Sequence, residues 1–412
     1  MALAVRFFPD GDSLRATLSS AELLLLDQPL DSVRRDGARI SFSTPDEYSV
    51  RFQGVLAGDV IRGDAGVPAV PGVTESRSGA DAALRFELRR VPDPGVPPYV
   101  TRAIRFDNAD ARFVGTLLLP SAPTNRRLPG VVILQGSSTN LRREYEFYAD
   151  HFARLGLAVV TFDKRGTGES SGNYVAATYD DLAADAAAAV QFLRAQPGVD
   201  SARVGIWGLS QGAFIAPLVA RRIASLAFVV AVSPPGVPIG ESAAYQDSIR
   251  LIAKGFSKAD AERAARLNRQ LAGWLRTGAS RDSLDAELTR VIDQPWRRAS
   301  SLPARLPDSP AVEGWYWRGR TLDPIPLWRS LRVPVLVVFG EADELLPAPV
   351  SARRIRNALR EGGNRDATVR VFPAANHVLR RLPLVAGGEW DWPKSAPGYL
   401  ESVASWIVAH AR

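Results

Sequence analysis

A serine between two glycines stands where a predicted strand turns into a predicted helix. The sequence Gly-Leu-Ser-Gln-Gly at 208–212 follows the apolar residues 204–207 and precedes an apolar helical stretch at 211–222. A serine on so tight a turn is strained, and glycines two positions before and after it avoid a collision with the neighbouring chain. The turn also sets the hydroxyl at the positive end of the helix. We interpret Ser210 as a nucleophile, and the alternative is an ordinary turn bracketed by glycines.

A serine hydroxyl is a poor nucleophile near neutral pH and needs an adjacent base, which is normally a histidine. The chain has three histidines. His377 follows the predicted strand 368–372 in a loop at the carboxyl edge of the sheet, where folds of this kind handle ligands. We therefore predict that His377 is the base. His151 and His410 lie inside predicted helices and are expected to have structural or solvent-facing roles.

The base must be oriented by an acid, which also stabilises the imidazolium. The apolar strand 335–339 ends in a turn that carries Glu341, Asp343 and Glu344. Physical reasoning alone does not decide which of these three carboxylates is the acid.

An oxyanion also needs two preorganised N–H donors. We expect the first from Gln211, directly after the serine. The second should come from the loop at 135–138, after the strand 131–134, and we assign it to the Ser137 N–H.

The elements around these residues alternate between strands and helices, which indicates a mostly parallel sheet with helices on both faces. The predicted strands are 131–134, 158–162, 204–207, 226–232, 333–339 and 368–372, and the predicted helices are 144–155, 180–195, 211–222, 350–360 and 399–410.

Two segments depart from this rhythm. Residues 1–98 carry short alternating runs and then a proline-rich stretch, which predicts a small antiparallel β domain and a linker before a catalytic domain at 99–412. Residues 236–325 have helical periodicity and predict a helical insertion. The tryptophans of the insertion and its end belong either to its core or to a pocket wall (Trp296, Trp315, Trp317 and Trp328). The sequence Trp-Asp-Trp at 390–392 is a further candidate for the pocket rim.

Composition excludes several classes of function. The net charge is +7, but nearly all of the positive charge is arginine dispersed among acids, so we predict no nucleic-acid partner. No apolar run is long enough to span a membrane, and there is no cysteine. No metal site and no phosphate-binding loop is visible, so we expect no cofactor. The compartment stays open between the cytoplasm and, if an export signal has been removed, the periplasm or the exterior.

With these motifs in place, the chain resembles bacterial α/β-hydrolases of the esterase, dienelactone-hydrolase-like and serine-aminopeptidase-like group. The resemblance covers 99–412 and rests on the motifs at 134–137, 162–170, 208–212, 340–343 and 376–377. It implies an α/β-hydrolase fold, a cap over the site at 236–325, and Asp343 as the acid. Relatives usually carry His-Gly where this chain has Gln-Gly at 135–136, a change that a backbone donor survives. An N-terminal β domain is similar to the arrangement in EstD-like carboxylesterases.

The expected reaction is hydrolysis of a small-molecule carboxylic ester by Ser210, His377 and Asp343. A serine peptidase or aminopeptidase, or an acyl thioesterase, would use the same three residues and is the alternative. A binding protein that retains an inactive hydrolase fold is a more distant one. A homodimer is compatible with this interpretation.

Overall fold

The computed structural model divides into two compact units, Met1–Pro97 with Arg381–Ser395, and Pro98–Arg380 with Ala396–Arg412. It describes residues 3–11, 13–45, 50–66, 84–92, 95–121, 126–223, 225–312, 314–381 and 394–411. The Trp-Asp-Trp sequence at 390–392 lies outside these residues.

The first unit consists of two antiparallel sheets, with strand orders β1-β2-β3 and β4-β5-β6-β7-β8. The strands are β1 Ala4–Asp10, β2 Ser13–Ser20, β3 Leu25–Pro29, β4 Asp31–Asp36, β5 Arg39–Ser43, β6 Arg51–Ala57, β7 Val60–Gly66 and β8 Leu84–Arg89. Phe42 and Phe52 stack at 4.8 Å in its core, with the Phe86 ring edge-on to Phe52 at 5.3 Å. The predicted N-terminal antiparallel β region is therefore confirmed.

The second unit is built on an eight-stranded sheet with the order β16-β15-β14-β13-β11-β12-β10-β9. Its strands are β9 Tyr99–Asn108, β10 Ala111–Pro120, β11 Leu128–Leu134, β12 Ala158–Phe162, β13 Val199–Leu209, β14 Val229–Val232, β15 Val335–Gly340 and β16 Ala367–Phe372. Strands β11 to β16 pair in parallel, whereas β10 is antiparallel to both β9 and β12. The carboxyl ends of six strands therefore meet at one edge of the sheet.

The described residues also form ten α-helices, several of which cover the two faces of this sheet. The helices are α1 Glu146–Arg154, α2 Tyr179–Arg194, α3 Gln211–Arg222, α4 Ile239–Ala253, α5 Lys258–Thr277, α6 Arg281–Arg290, α7 Trp315–Gly319, α8 Ile325–Ser330, α9 Ala348–Glu361 and α10 Tyr399–His410. Successive residues of a strand face opposite sides. Val131 and Ile133 accordingly pack with α1 and α10, and Val132 and Leu134 pack with α2, α3 and α9. The predicted fold, a mostly parallel sheet between two helical layers, is confirmed.

The chain between β14 and β15 is helical and has a core of its own. Trp274 and Trp296 are 2% exposed there and pack with aliphatic residues of α5 and α6. Trp328 is 1% exposed but belongs to the core beneath the sheet, whereas Trp315 and Trp317 are half-buried. In the part of the chain that the structure describes, no helix is long and apolar enough to cross a membrane.

Candidate active site

Ser210 occupies the turn between β13 and α3. Its backbone lies in the left-handed region, with φ of 53° and ψ of −109°. The Ser210 N–H donates to the carbonyl of Val232 over 2.8 Å, and its carbonyl accepts from the Phe214 N–H over 2.9 Å. A conformation this strained persists only where the surrounding structure holds it. The turn therefore fixes a half-buried serine at the carboxyl edge of the sheet.

The two flanking glycines are required by close contacts of the backbone. A Cβ atom at Gly212 would lie 2.2 Å from the carbonyl oxygen of Leu134, and one at Gly208 would lie 2.5 Å from the carbonyl carbon of Gly212. Real Cβ atoms do not approach other atoms so closely. The sharp turn therefore requires glycine at 208, and the close packing of the turn against β11 requires glycine at 212.

His377 and Asp343 lie together at the same edge of the sheet. Asp343 follows β15, His377 follows β16, and the His377 Nδ1 is 2.7 Å from the Asp343 Oδ2. Asp343 is 1% exposed and His377 is 5% exposed. A buried carboxylate on Nδ1 leaves Nε2 as the proton-accepting nitrogen, because it holds the proton of a neutral imidazole on Nδ1.

The orientation of the Asp343 carboxylate is set by its own turn. Its Oδ1 accepts hydrogen bonds from the N–H groups of Leu345 and Leu346 over 2.8 and 3.0 Å, which directs Oδ2 to the imidazole. The other two carboxylates of the turn hold the backbone of the histidine loop instead. Glu341 accepts from the Ala374 N–H and Glu344 accepts from the His377 N–H, both over 3.2 Å.

Ser210 and His377 are not joined by a hydrogen bond in this structure. The His377 Nε2 is buried, and among the described residues it has no hydrogen-bond partner. Ser233 fixes the loop by donating its hydroxyl to the His377 carbonyl over 2.7 Å. Hydrogen bonds of this type are often long before substrate binds. The structure thus joins Asp343 to His377 and gives Ser210 no hydrogen bond to either.

The loop after β11 passes beside Ser210. A Cβ atom at Gly136 would lie 3.7 Å from the Cβ of Ser210. The Gly136 N–H donates to the Tyr145 hydroxyl over 2.9 Å and the Ser138 N–H donates to the Tyr174 hydroxyl over 3.2 Å. Between them, the N–H of the exposed Ser137 makes no hydrogen bond within the described part of the chain. The Gln211 N–H, at the start of α3, is likewise without an acceptor among those residues.

Lys164 reaches this loop from the carboxyl end of β12, and sequence reasoning missed it. Its Nζ donates to the carbonyl of Gly136 over 2.6 Å and also to the carbonyl of Ser138. Burial lowers the pKa of Lys164 to about 8, a shift that Glu144 partly opposes. Two signals pointed to it: its place after a parallel strand, and the rarity of lysine in a chain whose cations are mostly arginine.

Tyr174 ties the same loop to the start of α3. Its hydroxyl accepts from the Ser138 N–H and donates to the Gln211 Oε1 over 2.9 Å. Burial raises the pKa of the Tyr174 phenol, so it stays neutral and can act as both donor and acceptor. The segments that carry the two predicted oxyanion donors, Ser137 and Gln211, are thus linked through a single side chain.

The neighbours of Lys164 in the motif hold the surrounding chain. Asp163 accepts hydrogen bonds from the N–H groups of Arg142 and Glu169 and pairs with the Arg142 guanidinium. Arg165 forms a buried bidentate pair with Asp185, with N–O distances of 2.6 and 2.7 Å. These contacts anchor both ends of the loop that carries Lys164.

The helical segment after β14 contacts both the turn that carries Asp343 and the chain around Tyr174 and Ala177. The Tyr245 hydroxyl of α4 donates to the carbonyl of Asp343 over 3.0 Å. The Trp315 N–H donates to the Ala177 carbonyl over 2.6 Å, and its ring centroid lies 5.4 Å from that of Tyr174. Half-buried aromatic surface therefore lies next to the side chain that links the two donor segments.

The other two histidines have different surroundings. His151 stacks on Phe147 at 6.1 Å, and burial lowers its pKa. His410 stacks on Trp406 at 3.9 Å, and its Nε2 lies 3.2 Å from Asp366. Among the residues that the structure describes, no group of three or more His, Asp or Glu side chains is placed to hold a metal ion.

Comparison with known proteins identifies a family. The model of the alpha/beta hydrolase family matches residues 128–387. No match is found among curated proteins.

Several solved structures are similar. One is a hypothetical protein from Pseudomonas aeruginosa, with 19% identity, a TM-score of 0.48, and coverage of 77% of this chain and 96% of that one. An esterase from Pyrococcus furiosus has 17% identity and a TM-score of 0.48, with 78% and 95% coverage. A proline iminopeptidase-related protein from Thermus thermophilus has 20% identity and a TM-score of 0.45, with 76% and 99% coverage.

Proposed function

Because this chain belongs to the alpha/beta hydrolase family, we propose that it is a serine hydrolase that cleaves small carboxylic esters through an acyl-enzyme intermediate. Ser210 is the nucleophile, His377 the general base and acid, and Asp343 the orienting acid. The main support is the 2.7 Å contact between the buried His377 Nδ1 and Asp343 Oδ2. The other ring nitrogen, Nε2, is buried and has no hydrogen-bond partner among the described residues.

In the first half-reaction the Ser210 Oγ attacks the acyl carbon as its proton passes to the His377 Nε2. The imidazolium then gives this proton to the leaving alcohol, and the acyl group remains on the serine. In the second half-reaction water gives a proton to Nε2 and attacks the acyl carbon. Collapse of that intermediate returns the proton to Ser210 and releases the carboxylic acid.

Each tetrahedral intermediate carries a negative oxygen, which the N–H groups of Gln211 and Ser137 would bind. Both are without an acceptor among the described residues, whereas the N–H groups of Gly136 and Ser138 are occupied by tyrosine hydroxyls. Donors that are held in place before the reaction stabilise such an oxyanion without reorganisation. This supports Ser137 as the second donor.

The segment at 236–325 would act as a cap that selects the substrate. Its support is the hydrogen bond from Tyr245 to the Asp343 carbonyl and the packing of Trp315 beside Tyr174. We assign residues 99–412 to the catalytic domain, apart from Arg381–Ser395, which group with the first unit, and residues 1–98 to an N-terminal β domain with its linker, as in EstD-like carboxylesterases.

Turnover of p-nitrophenyl esters by the wild type and by Ser210→Ala tests the proposal. We expect hydrolysis of short acyl esters by the wild type and a loss of about 10⁴-fold or more in the variant. A wild type that is inactive across acyl lengths, or a variant with undiminished turnover, would refute it. Aminoacyl amides and acyl thioesters then distinguish a peptidase or a thioesterase, since either would turn over its own substrate class with the higher kcat/KM.

A further inference from the structure

Lys164 is a buried cation whose charge is not matched by a carboxylate. It is 7% exposed, and within the described ranges it forms no ion pair. Its Nζ instead donates to the carbonyls of Gly136 and Ser138 and lies 4.4 Å from the centre of the Tyr174 ring. Carbonyl and ring dipoles do not neutralise the positive charge of a buried ammonium. The ammonium can therefore stabilise a negative charge that forms nearby during the reaction.

The Gly136 carbonyl and the Ser137 N–H belong to one peptide group. Lys164 therefore holds the negative end of the peptide dipole whose positive end is the Ser137 N–H, which has no acceptor among the described residues and follows the glycine next to Ser210. Hydrogen bonding at a carbonyl polarises the peptide and strengthens its N–H as a donor. The same contact also fixes the plane of that peptide and so the direction of its N–H.

The second carbonyl contact braces a strained residue. Ser138 has a φ of 147°, in the region that favours glycine. Its N–H is held by Tyr174 and its carbonyl by Lys164. Both neighbours of Ser137 are thus fixed by side chains, while the Ser137 N–H has no acceptor among the described residues.

We infer that Lys164 is a positioning residue for acyl transfer, whose ammonium orients and polarises the peptide between Gly136 and Ser137 so that its N–H stabilises the oxyanion. The inference rests on the proposed function. The substrate itself would contact Ser137 and not Lys164.

The charged groups around Lys164 are otherwise engaged. Glu144 acts on it at a distance and raises its pKa, against the larger effect of burial. Asp163 is paired with Arg142, and Asp185, which lines the same small cavity as Lys164, is paired with Arg165. The Tyr174 phenol has a pKa raised by burial. Loss of the Lys164 proton above about pH 8 should therefore appear as an alkaline decline in kcat.

Steady-state kinetics of Lys164→Met and Lys164→Arg, from pH 6 to 10 with a p-nitrophenyl ester, test the inference. We expect Lys164→Met to lower kcat by about 10- to 100-fold with KM within about threefold, less than the loss for deleting an oxyanion donor. Its alkaline decline should vanish. Lys164→Arg keeps the charge and should keep more activity than the methionine variant, without the decline near pH 8.

Arg203→Met is the matched control for a general loss of stability. Arg203 is half-buried and also donates to backbone carbonyls, those of Ala411 and Arg127, but from the first half of β13, away from the carboxyl end of that strand. At a similar fall in Tm its kcat should stay within about threefold of the wild type. An equal fall in kcat would overturn the inference, because the loss would then follow stability.

A Lys164→Met variant with wild-type kcat and an unchanged pH profile, or with a loss confined to KM, would also overturn it. If that variant does not fold, Lys164→Gln, which also removes the charge, takes its place and is judged by the same kcat and KM outcomes. Ser210→Ala separates the two proposals. Full activity in that variant refutes the hydrolase mechanism, whereas an inactive Ser210→Ala beside a normal Lys164→Met refutes only the inference.

Discussion

Replacing Asp343 by asparagine reverses the hydrogen bond that orients His377. The Leu345 and Leu346 N–H groups donate to Oδ1 over 2.8 and 3.0 Å, so an asparagine must keep its oxygen there. Its amide nitrogen then faces the His377 Nδ1 as a donor. The imidazole must accept at Nδ1 and carry its proton on Nε2, where it cannot take the proton of Ser210.

The size of the loss follows from the burial of the pair. Asp343 and His377 are 1% and 5% exposed. Their attraction when the imidazole is protonated amounts to about 4 kcal/mol for charge centres roughly 4 Å apart at an effective dielectric constant of about 20. The unfavourable tautomer adds about 1 kcal/mol, the scale of one hydrogen bond. We therefore expect Asp343→Asn to lower kcat/KM by about 10³- to 10⁴-fold.

Steady-state hydrolysis of a p-nitrophenyl ester measures this loss, and Glu344→Gln is the matched control. Glu344 lies in the same turn but accepts from the backbone N–H of His377 over 3.2 Å, a bond that a glutamine oxygen can also accept. Glu344→Gln should therefore lower kcat/KM by less than about tenfold. Circular dichroism and Tm check that both variants fold. An Asp343→Asn variant within tenfold of the wild type, or an equal loss in Glu344→Gln, would refute the assignment of the acid.

Three further experiments test the surroundings of the site. A Cβ at Gly212 would lie 2.2 Å from a backbone oxygen, so Gly212→Ala should lower the unfolding free energy by about 3 kcal/mol or more, as measured by denaturant unfolding. A Cβ at Gly136 would have no neighbour nearer than 3.6 Å, so Gly136→Ala should cost less than about 1 kcal/mol. Burial lowers the pKa of Lys164 from 10.5 to about 8, so the unfolded chain binds more protons between these values. The unfolding free energy of the wild type should therefore rise with pH over this window, by on the order of 3 kcal/mol relative to Lys164→Met, and parallel curves would contradict this. Arg165→Met strands the buried Asp185 and should cost about 3 to 5 kcal/mol, most of which Asp185→Leu should restore in the double variant; simple additivity would contradict this.

Much of the catalytic unit was predictable because parallel strands buried on both faces are continuous apolar runs. The strand at 158–162 and the helices at 211–222 and 399–410 have the predicted bounds. Strands β9 and β10, an antiparallel hairpin with β9 at the sheet edge, were missed. Most residues of β9 are exposed, which leaves a weak apolar signal.

At the site, local patterns carry different amounts of information. The turn at Ser210 was readable because its glycines and flanking elements are contiguous in sequence. The choice among Glu341, Asp343 and Glu344 could not be made from the sequence, since it depends on which of the three lies against the imidazole and which bind backbone N–H groups of the loop that carries His377. Lys164 was missed for the same reason: its role comes from contacts with a loop 26 to 28 positions away in sequence.

Covalent labelling tests the role of Ser210 most directly. A fluorophosphonate transfers its phosphonyl group to an activated serine with loss of fluoride, and the intact mass of the protein reports the adduct. We predict one adduct per chain, mapped by peptide mass spectrometry to Ser210, loss of esterase activity in proportion to labelling, and no adduct in Ser210→Ala. Labelling at another residue, or an active protein that takes up no label, would contradict the assignment of Ser210 as the nucleophile.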